Sequence, residues 1–410
     1  MIAGWLAMVW AHAQAVPSVA PAATAEQAAA MSWQSVVPAL HAQWSRLGAP
    51  AYDHRADAAV ATGGALPVGP TSMSWQLQAG AAPGDQLTAW VDIPLTARTA
   101  ERAAWRARGE AWTAWGDADG LQWAEEALVR YADVWRTETL VVHLRDWADD
   151  VRHALERFEA AAERGAMAAA DLADLRGEIG AVVAEVAGAE SEAAAARGAL
   201  WAWVGVRWHV EVGDEAAHDD LPTEDPFAGT PPTHPAITAW AAEVDAAEAQ
   251  RTATARAGWT PALEAGAMAL QVGTPAARAY APLAFLTVRV PLQPESRAQQ
   301  QAEAGEIAAA RAEADRARRV LDERWSAESE AWQASRAQVE RLDRSVVDVL
   351  AEREARLVAA FDAGLVTADR LILARRDHHE AEHARIEAEA ALRLRTARAA
   401  LWRAWAEVGE

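Results

Sequence analysis

The chain has 410 residues, a formal net charge of −21 and no cysteine. So strong an acidic excess excludes a general nucleic-acid binder. The missing thiols exclude disulfides, thiolate metal sites and a lipidated cysteine within this sequence. Alanine, glutamate and arginine dominate while lysine and asparagine are absent, a composition that favours helix.

Residues 1–15 read as a signal peptide. Ile2 to Trp10 is a short apolar run, too short to span a bilayer, followed by the small-x-small sites Ala11-His12-Ala13 and Ala13-Gln14-Ala15. The run carries no basic n-region. Residues 16–70 read as an N-terminal linker, with a short helix over 31–48 and a Gly/Pro-rich loop over 49–71. A first repeat follows over 71–208. Met73, Trp75, Leu77 and Ala79 alternate with polar residues; after Ala82-Pro83-Gly84-Asp85, Leu87, Ala89, Val91, Ile93 and Leu95 do the same. That is a β-hairpin with a period of two. A proline-free run from Thr96 to Glu163 predicts one helix of roughly 100 Å. Leu121, Leu128, Trp135 and Val142 form its seven-residue seam, and Gly116 and Gly120 are expected to loosen it. The run stops at Gly165-Ala166-Met167, and a returning helix is predicted over 168–204.

Residues 209–232 read as an acidic, Pro-rich connector. Residues 233–410 read as a second repeat. A helix opens at His234-Pro235. A weak strand follows over 261–272, then a strand in which Ala284, Leu286, Val288, Val290 and Leu292 alternate. A second long helix is predicted from Glu295 to Asp362, with a seam at Trp325, Trp332, Val339 and Val346 and with Leu342 and Val349 offset by three. A turn at Gly364-Leu365-Val366 and a returning helix over 367–408 complete the repeat. Matched points in the two repeats (Pro94 and Pro291, Gly165 and Gly364, Trp201 and Trp402) lie 197, 199 and 201 residues apart. So constant a period marks an internal duplication.

The fold class expected is mainly α with a small β part: long antiparallel coiled-coil helical hairpins plus two β-hairpins. Spacing alone leaves two readings of the strands equally open. They are long enough to cross an outer membrane at a tilt, with apolar residues toward lipid, and they equally suit a small soluble sheet. Four strands in a membrane would have unpaired edges, which asks for an oligomer.

The order of these features resembles the TolC-type outer-membrane efflux protein family over about residues 70–410. Thr233-His234-Pro235-Ala236-Ile237 is similar to the family's opening helix, with His234 where Asn is usual. Val288-Arg289-Val290-Pro291-Leu292 resembles its strand ending in Pro-Leu. The segments 164–175 and 363–371 are similar to its periplasmic helical turns. The first repeat lacks a clear Asn-Pro. The resemblance implies a homotrimer in the cell outer membrane with a large periplasmic portion, closing a trimeric α/β-barrel channel. It implies a passive exit duct for efflux or secretion, in contact with outer-membrane lipid. Its partners would be a periplasmic adaptor protein and an inner-membrane pump, with no cofactor and no catalysis. The turns Gly165, Ala166, Met167 and Gly364, Leu365, Val366 would dock the adaptor. Asp171, Asp174 and Asp369 would sit at the narrow end of the tunnel as a lumen gate, or on an exposed coiled-coil face. The alternative class is a soluble periplasmic coiled-coil scaffold that does not insert.

His379-Glu380-Ala381-Glu382-His383 matches the zinc-protease pattern His-Glu-x-x-His, in which two histidines share a helix face and the glutamate acts as base. Its setting in a long charged helix, without a shaped cavity, favours a solvated surface, with adventitious metal binding at His378. The 21 tryptophans read mainly as core at helical spacing, with Trp75 and Trp90 as candidates for a membrane-interface belt.

Overall fold

The computed structural model describes residues 30–65, 72–78, 86–94, 98–163, 169–212, 223–259, 262–272, 279–289, 297–363 and 365–408. The expected signal peptide lies outside them. In chain order the elements are β1 (Ala30–Met31), α1 (Val36–Leu47), α2 (Ala49–Ala65), β2 (Ser72–Gln78), β3 (Gln86–Pro94), α3 (Arg98–Glu163), α4 (Ala169–Val204) and β4 (His209–Val210). They continue with α5 (Pro235–Trp259), β5 (Ala262–Val272), β6 (Ala279–Arg289) and α6 (Arg297–Leu342). A π-helical turn (Asp343–Val347), α7 (Asp348–Asp362) and α8 (Ala368–Val408) end the chain. Among the described residues no helix is long and apolar enough to cross a membrane.

Two compact units result. One takes its described residues from Met1–Ser35, Arg130–Asp219 and Arg353–Ile386; the other from Val36–Val129, Asp220–Glu352 and Glu387–Glu410.

In the second unit β2, β3, β5 and β6 form an antiparallel sheet in that order. The hairpins join where β3 pairs β5 over nine positions, from Gln86↔Leu270 to Pro94↔Ala262. The segment with the weakest alternation, β5, is thus a central strand. Ladder pairing on both sides holds it regardless of side-chain pattern. β6 begins at Ala279, earlier than alternation indicates, and takes Pro282 into the strand. Proline within a sheet is found mainly on edge strands, and among the described residues β6 pairs on one side only.

The loop expected over 49–71 is a correction: residues 49–65 are helix α2. Pro50 sits in the first turn, where its missing N–H costs nothing, and alanine carries the rest. Helices α1 and α2 lie along α3, and the glycines of α3 are where they touch. A methyl at Gly116 would sit 2.9 Å from Tyr52 Cβ, and one at Gly109 would sit 3.0 Å from Val60 Cγ2; at Gly120 it would overlap the Trp44 indole. Gly116 and Gly120 therefore do not loosen the helix; they are recesses for aromatic rings. Tyr52 also donates its hydroxyl to Asp119. On its other side α3 meets α5 through alanines: Ala100 and Ala104 against Ala253, and Ala114 and Ala118 against Ala239.

The coiled-coil seams depart from strict heptads in physically legible ways. Leu121, Leu128 and Trp135 are buried, but Val142 is exposed and Val141 and Leu144 are buried instead. A straight helix drifts by about 20° per heptad, so its buried stripe slides. In the second long helix Trp325, Trp332 and Val339 are buried; next comes Val347, not Val346, and Val349 is exposed. The π turn is the cause. Asp348 donates its N–H to the Asp343 carbonyl five residues back, which adds one residue to the turn and moves the seam by one.

The first unit has its own small core. Ala154, Phe158 and Leu371 are buried, with Leu155, Leu172, Leu357, Val358, Phe361 and Ile372 against them. Phe158 and Phe361 meet edge to face, with centroids 4.6 Å apart. Arg136 and Arg145 on α3 pair with Glu192 and Glu190 on α4. Such exposed pairs contribute little stability individually, so apolar contacts carry the helix pairing.

Candidate channel-forming site

Among the described residues, β2 and β6 each pair along one edge only. Leu286 and Val288 on β6 share a face and are 69% and 57% exposed. An apolar edge strand left bare is a template for another strand. The side chains of Trp75 and Trp90 lie outside the described residues, as do Val290 and Leu292.

Leu365 lies at the turn between α7 and α8. Its N–H donates to the Ala360 carbonyl at 2.8 Å, and Ala363 N–H donates to Ala359 at 3.2 Å. A bond of this span closes the helix end tightly. The Leu365 side chain is 78% exposed, and Val366 is half-buried. Gly364 itself, and Gly165, Ala166 and Met167, lie outside the described residues. Asp171 falls in the first turn of α4, Asp174 in the second, and Asp369 in the first turn of α8. Their side chains are outside the description too. Leu172 and Leu371 beside them belong to the first unit's core.

The sequence missed a polar centre in the second unit. Glu125 on α3 accepts from Arg324 on α6 through both oxygens at 3.0 Å, and from the Trp402 indole on α8. Arg324 also stands 4.9 Å over the Trp402 ring. The two charged partners are 199 residues apart, the same spacing as Gly165 and Gly364, and that was the signal available. The connector is strapped to the same helices. Asp225 accepts from Ser329 and Gln333 at 2.7 and 2.9 Å, and the Trp325 indole donates to the Phe227 carbonyl.

His234 caps α5. Its Nδ1 accepts the Ala236 N–H at 3.1 Å, and Pro235 occupies the first helical position. This is the job an asparagine side chain does before a proline. Accepting there requires an unprotonated Nδ1. Burial pushes the imidazole down to about 4, with Arg324 adding to that and Glu125 opposing it.

The His-Glu-x-x-His segment is arranged for packing. His379 is buried, its ring 4.0 Å from Trp147 and 4.7 Å from His143 by centroid, nearly parallel to both. The rings of His379 and His383 are 6.5 Å apart. Glu380 lies on an exposed face and pairs with Arg376 at 3.0 Å. His378 meets Glu354 at 2.8 Å. Among the described residues no three His, Cys, Asp or Glu side chains are placed to hold a metal ion.

No family model matches the sequence, and no curated protein matches it. Solved structures do match the fold. The outer membrane protein VceC of Vibrio cholerae aligns with a TM-score of 0.67 at 16% identity, over 90% of this chain and 96% of that one. The Campylobacter jejuni CmeC outer membrane channel gives 0.66 at 12% identity, over 91% and 86%. The MtrE outer membrane channel of Neisseria gonorrhoeae, solved in an open state, gives 0.59 at 14% identity, over 91% and 88%. With most of its helical and strand architecture aligned to these proteins, the chain has the fold of the TolC-type outer-membrane channels.

Proposed function

We propose that the chain is the outer-membrane duct of a tripartite efflux or secretion system. One observation carries this reading: a four-stranded sheet in which, among the described residues, β2 and β6 each pair on one side only, in a chain with the fold of outer-membrane channels. Three copies would pair β6 of one with β2 of the next and close a twelve-stranded barrel. No edge would then face lipid, and Leu286 and Val288 would face hydrocarbon. The long helices would continue the barrel as a tunnel on the periplasmic side. No covalent chemistry is required; substrate would be delivered by an inner-membrane pump through an adaptor.

The turns around Gly165 and Gly364 are the proposed adaptor contacts, supported by the exposure of Leu365 at a tightly closed helix end. Asp171, Asp174 and Asp369 are the proposed gate. Threefold symmetry would triple each carboxylate and concentrate negative potential in a constriction. Purified protein in planar bilayers tests both claims. Discrete conductance is expected, and Asp171→Ala with Asp174→Ala should raise it or reduce cation selectivity. A chain that never conducts, and is extracted without detergent, supports a soluble helical scaffold instead.

A further inference from the structure

The histidines that sequence reading set aside as a metal motif meet a partner that the sequence does not reveal. His379 Nδ1 on α8 and His143 Nε2 on α3 are 2.7 Å apart. At that distance one nitrogen must carry the proton and the other accept it. His143 meets the edge of the His379 ring, and Trp147, one turn beyond His143, covers a face of it. Its own indole N–H is buried without a hydrogen-bond partner. All three side chains belong to the first unit.

We propose that the His143–His379 pair is an acid-operated latch between α3 and α8, closed while both imidazoles are neutral and released when they take up protons. One extra proton must go to an outer ring nitrogen; the N–H···N bond survives, but charge enters a contact in which His379 is buried. A second sets two imidazolium ions edge to edge across 2.7 Å and removes the acceptor. The surroundings bias the same way. On α8, His378, His383 and Arg385 add positive charge near the pair, and Glu382 opposes them. Glu382 is already engaged by Arg385 at 2.7 Å, and Glu354 on α7 by Arg375 and His378. Trp147 offers a face that favours a cation. Burial still dominates, holding His379 down at about 4 and His143 below the ordinary histidine value.

A depressed histidine weakens the folded state on the acid side. Above pH 6.5 neither folded nor unfolded chain is protonated and the contact is intact; as pH falls from 6.5 toward 4 only the open form gains protons. Regulation of the duct by this latch rests on the function proposed above; the latch itself rests on the contacts alone.

Hydrogen exchange on the full-length protein in detergent reads it directly. After correction for intrinsic rates, opening at residues 143–147 and 379–383 should rise about 30-fold between pH 7.5 and pH 5, from the shift of His379. H379F keeps a flat ring on Trp147 without a titrating group and should change less than about 3-fold. H143Q keeps a polar partner for His379 and should rise less than the native chain. A pH-independent native chain overturns the latch, and so does an undiminished rise in both variants. A bilayer recording separates this from the duct: a chain that shows the acid response but never conducts keeps the latch and defeats the duct. A chain that conducts but shows no acid response does the reverse.

Discussion

Helix α3 is held on two sides by opposite solutions to close approach. Toward α5 both surfaces are small: Ala114 and Ala118 meet Ala239, and Ala100 and Ala104 meet Ala253. Toward α1 and α2 one surface is empty and the other large. Gly116 receives Tyr52, Gly120 receives Trp44, and, with the roles reversed, Gly63 of α2 receives Trp105. The two arrangements bury apolar area by different routes. Alanine against alanine lets backbones approach and tolerates a long unbroken partner such as α5. Glycine against an aromatic ring fixes position, because only one site accepts that ring. A glycine in a long helix is therefore not evidence of flexibility until its neighbours are known.

The largest expected effect breaks the aromatic side. Gly116→Leu should destabilise the chain by about 3 kcal/mol or more, since the added side chain has nowhere to go but through Tyr52. Loss of helical signal on heating measures it, and an unchanged midpoint would show that Tyr52 does not occupy this recess. Ala239→Leu strikes the other side. It should cost about 2 kcal/mol, in the range for overpacking a close contact, and should lower the melting temperature without changing the fluorescence of Trp44.

Capping comes next. His234→Ala should cost about 1 kcal/mol, whereas His234→Asn should retain the cap. This contribution is present above pH 6.5 and declines as pH falls toward about 4. Urea midpoints at pH 7.5 and pH 5 would show a smaller drop in His234→Asn than in the native protein; equal drops would remove His234 from the account.

The smallest effect has the opposite sign. Gly188 on α4 faces open space, so Gly188→Ala should stabilise by up to about 1 kcal/mol through helix propensity alone. The same residue type, with its space filled on α3 and empty on α4, would thus give opposite results. A destabilised Gly188→Ala would mean that something covers this face of α4.

The long helices were legible because proline-free runs end at glycine and resume: the expected span 96–163 is α3 from Arg98 to Glu163. The sheet was legible in outline because alternation survives in β2, β3 and β6. Helix α2 was hidden because Pro50, Gly63 and Gly64 count as loop signals when position within the helix is ignored. The π turn was hidden because a one-residue register shift leaves no mark in composition. His143 and His379 are 236 residues apart, and no local pattern joins them. Glu125 and Arg324 could have been paired by their spacing of 199 residues, which equals that of Gly165 and Gly364. The proposed gate carboxylates could be named from their distance to the turns, but periodicity in one chain does not say which face of a helix lines a tunnel.

The central claim is that the outer edges of β2 and β6 are closed by further copies of the same chain. The mass of the detergent-solubilised protein, corrected for bound detergent, measures this most directly. The account predicts a single species of about three chains, stable to dilution, in keeping with edges that a membrane does not tolerate unpaired. A stable monomer in detergent, with the outer edges of β2 and β6 left unpaired, would contradict it.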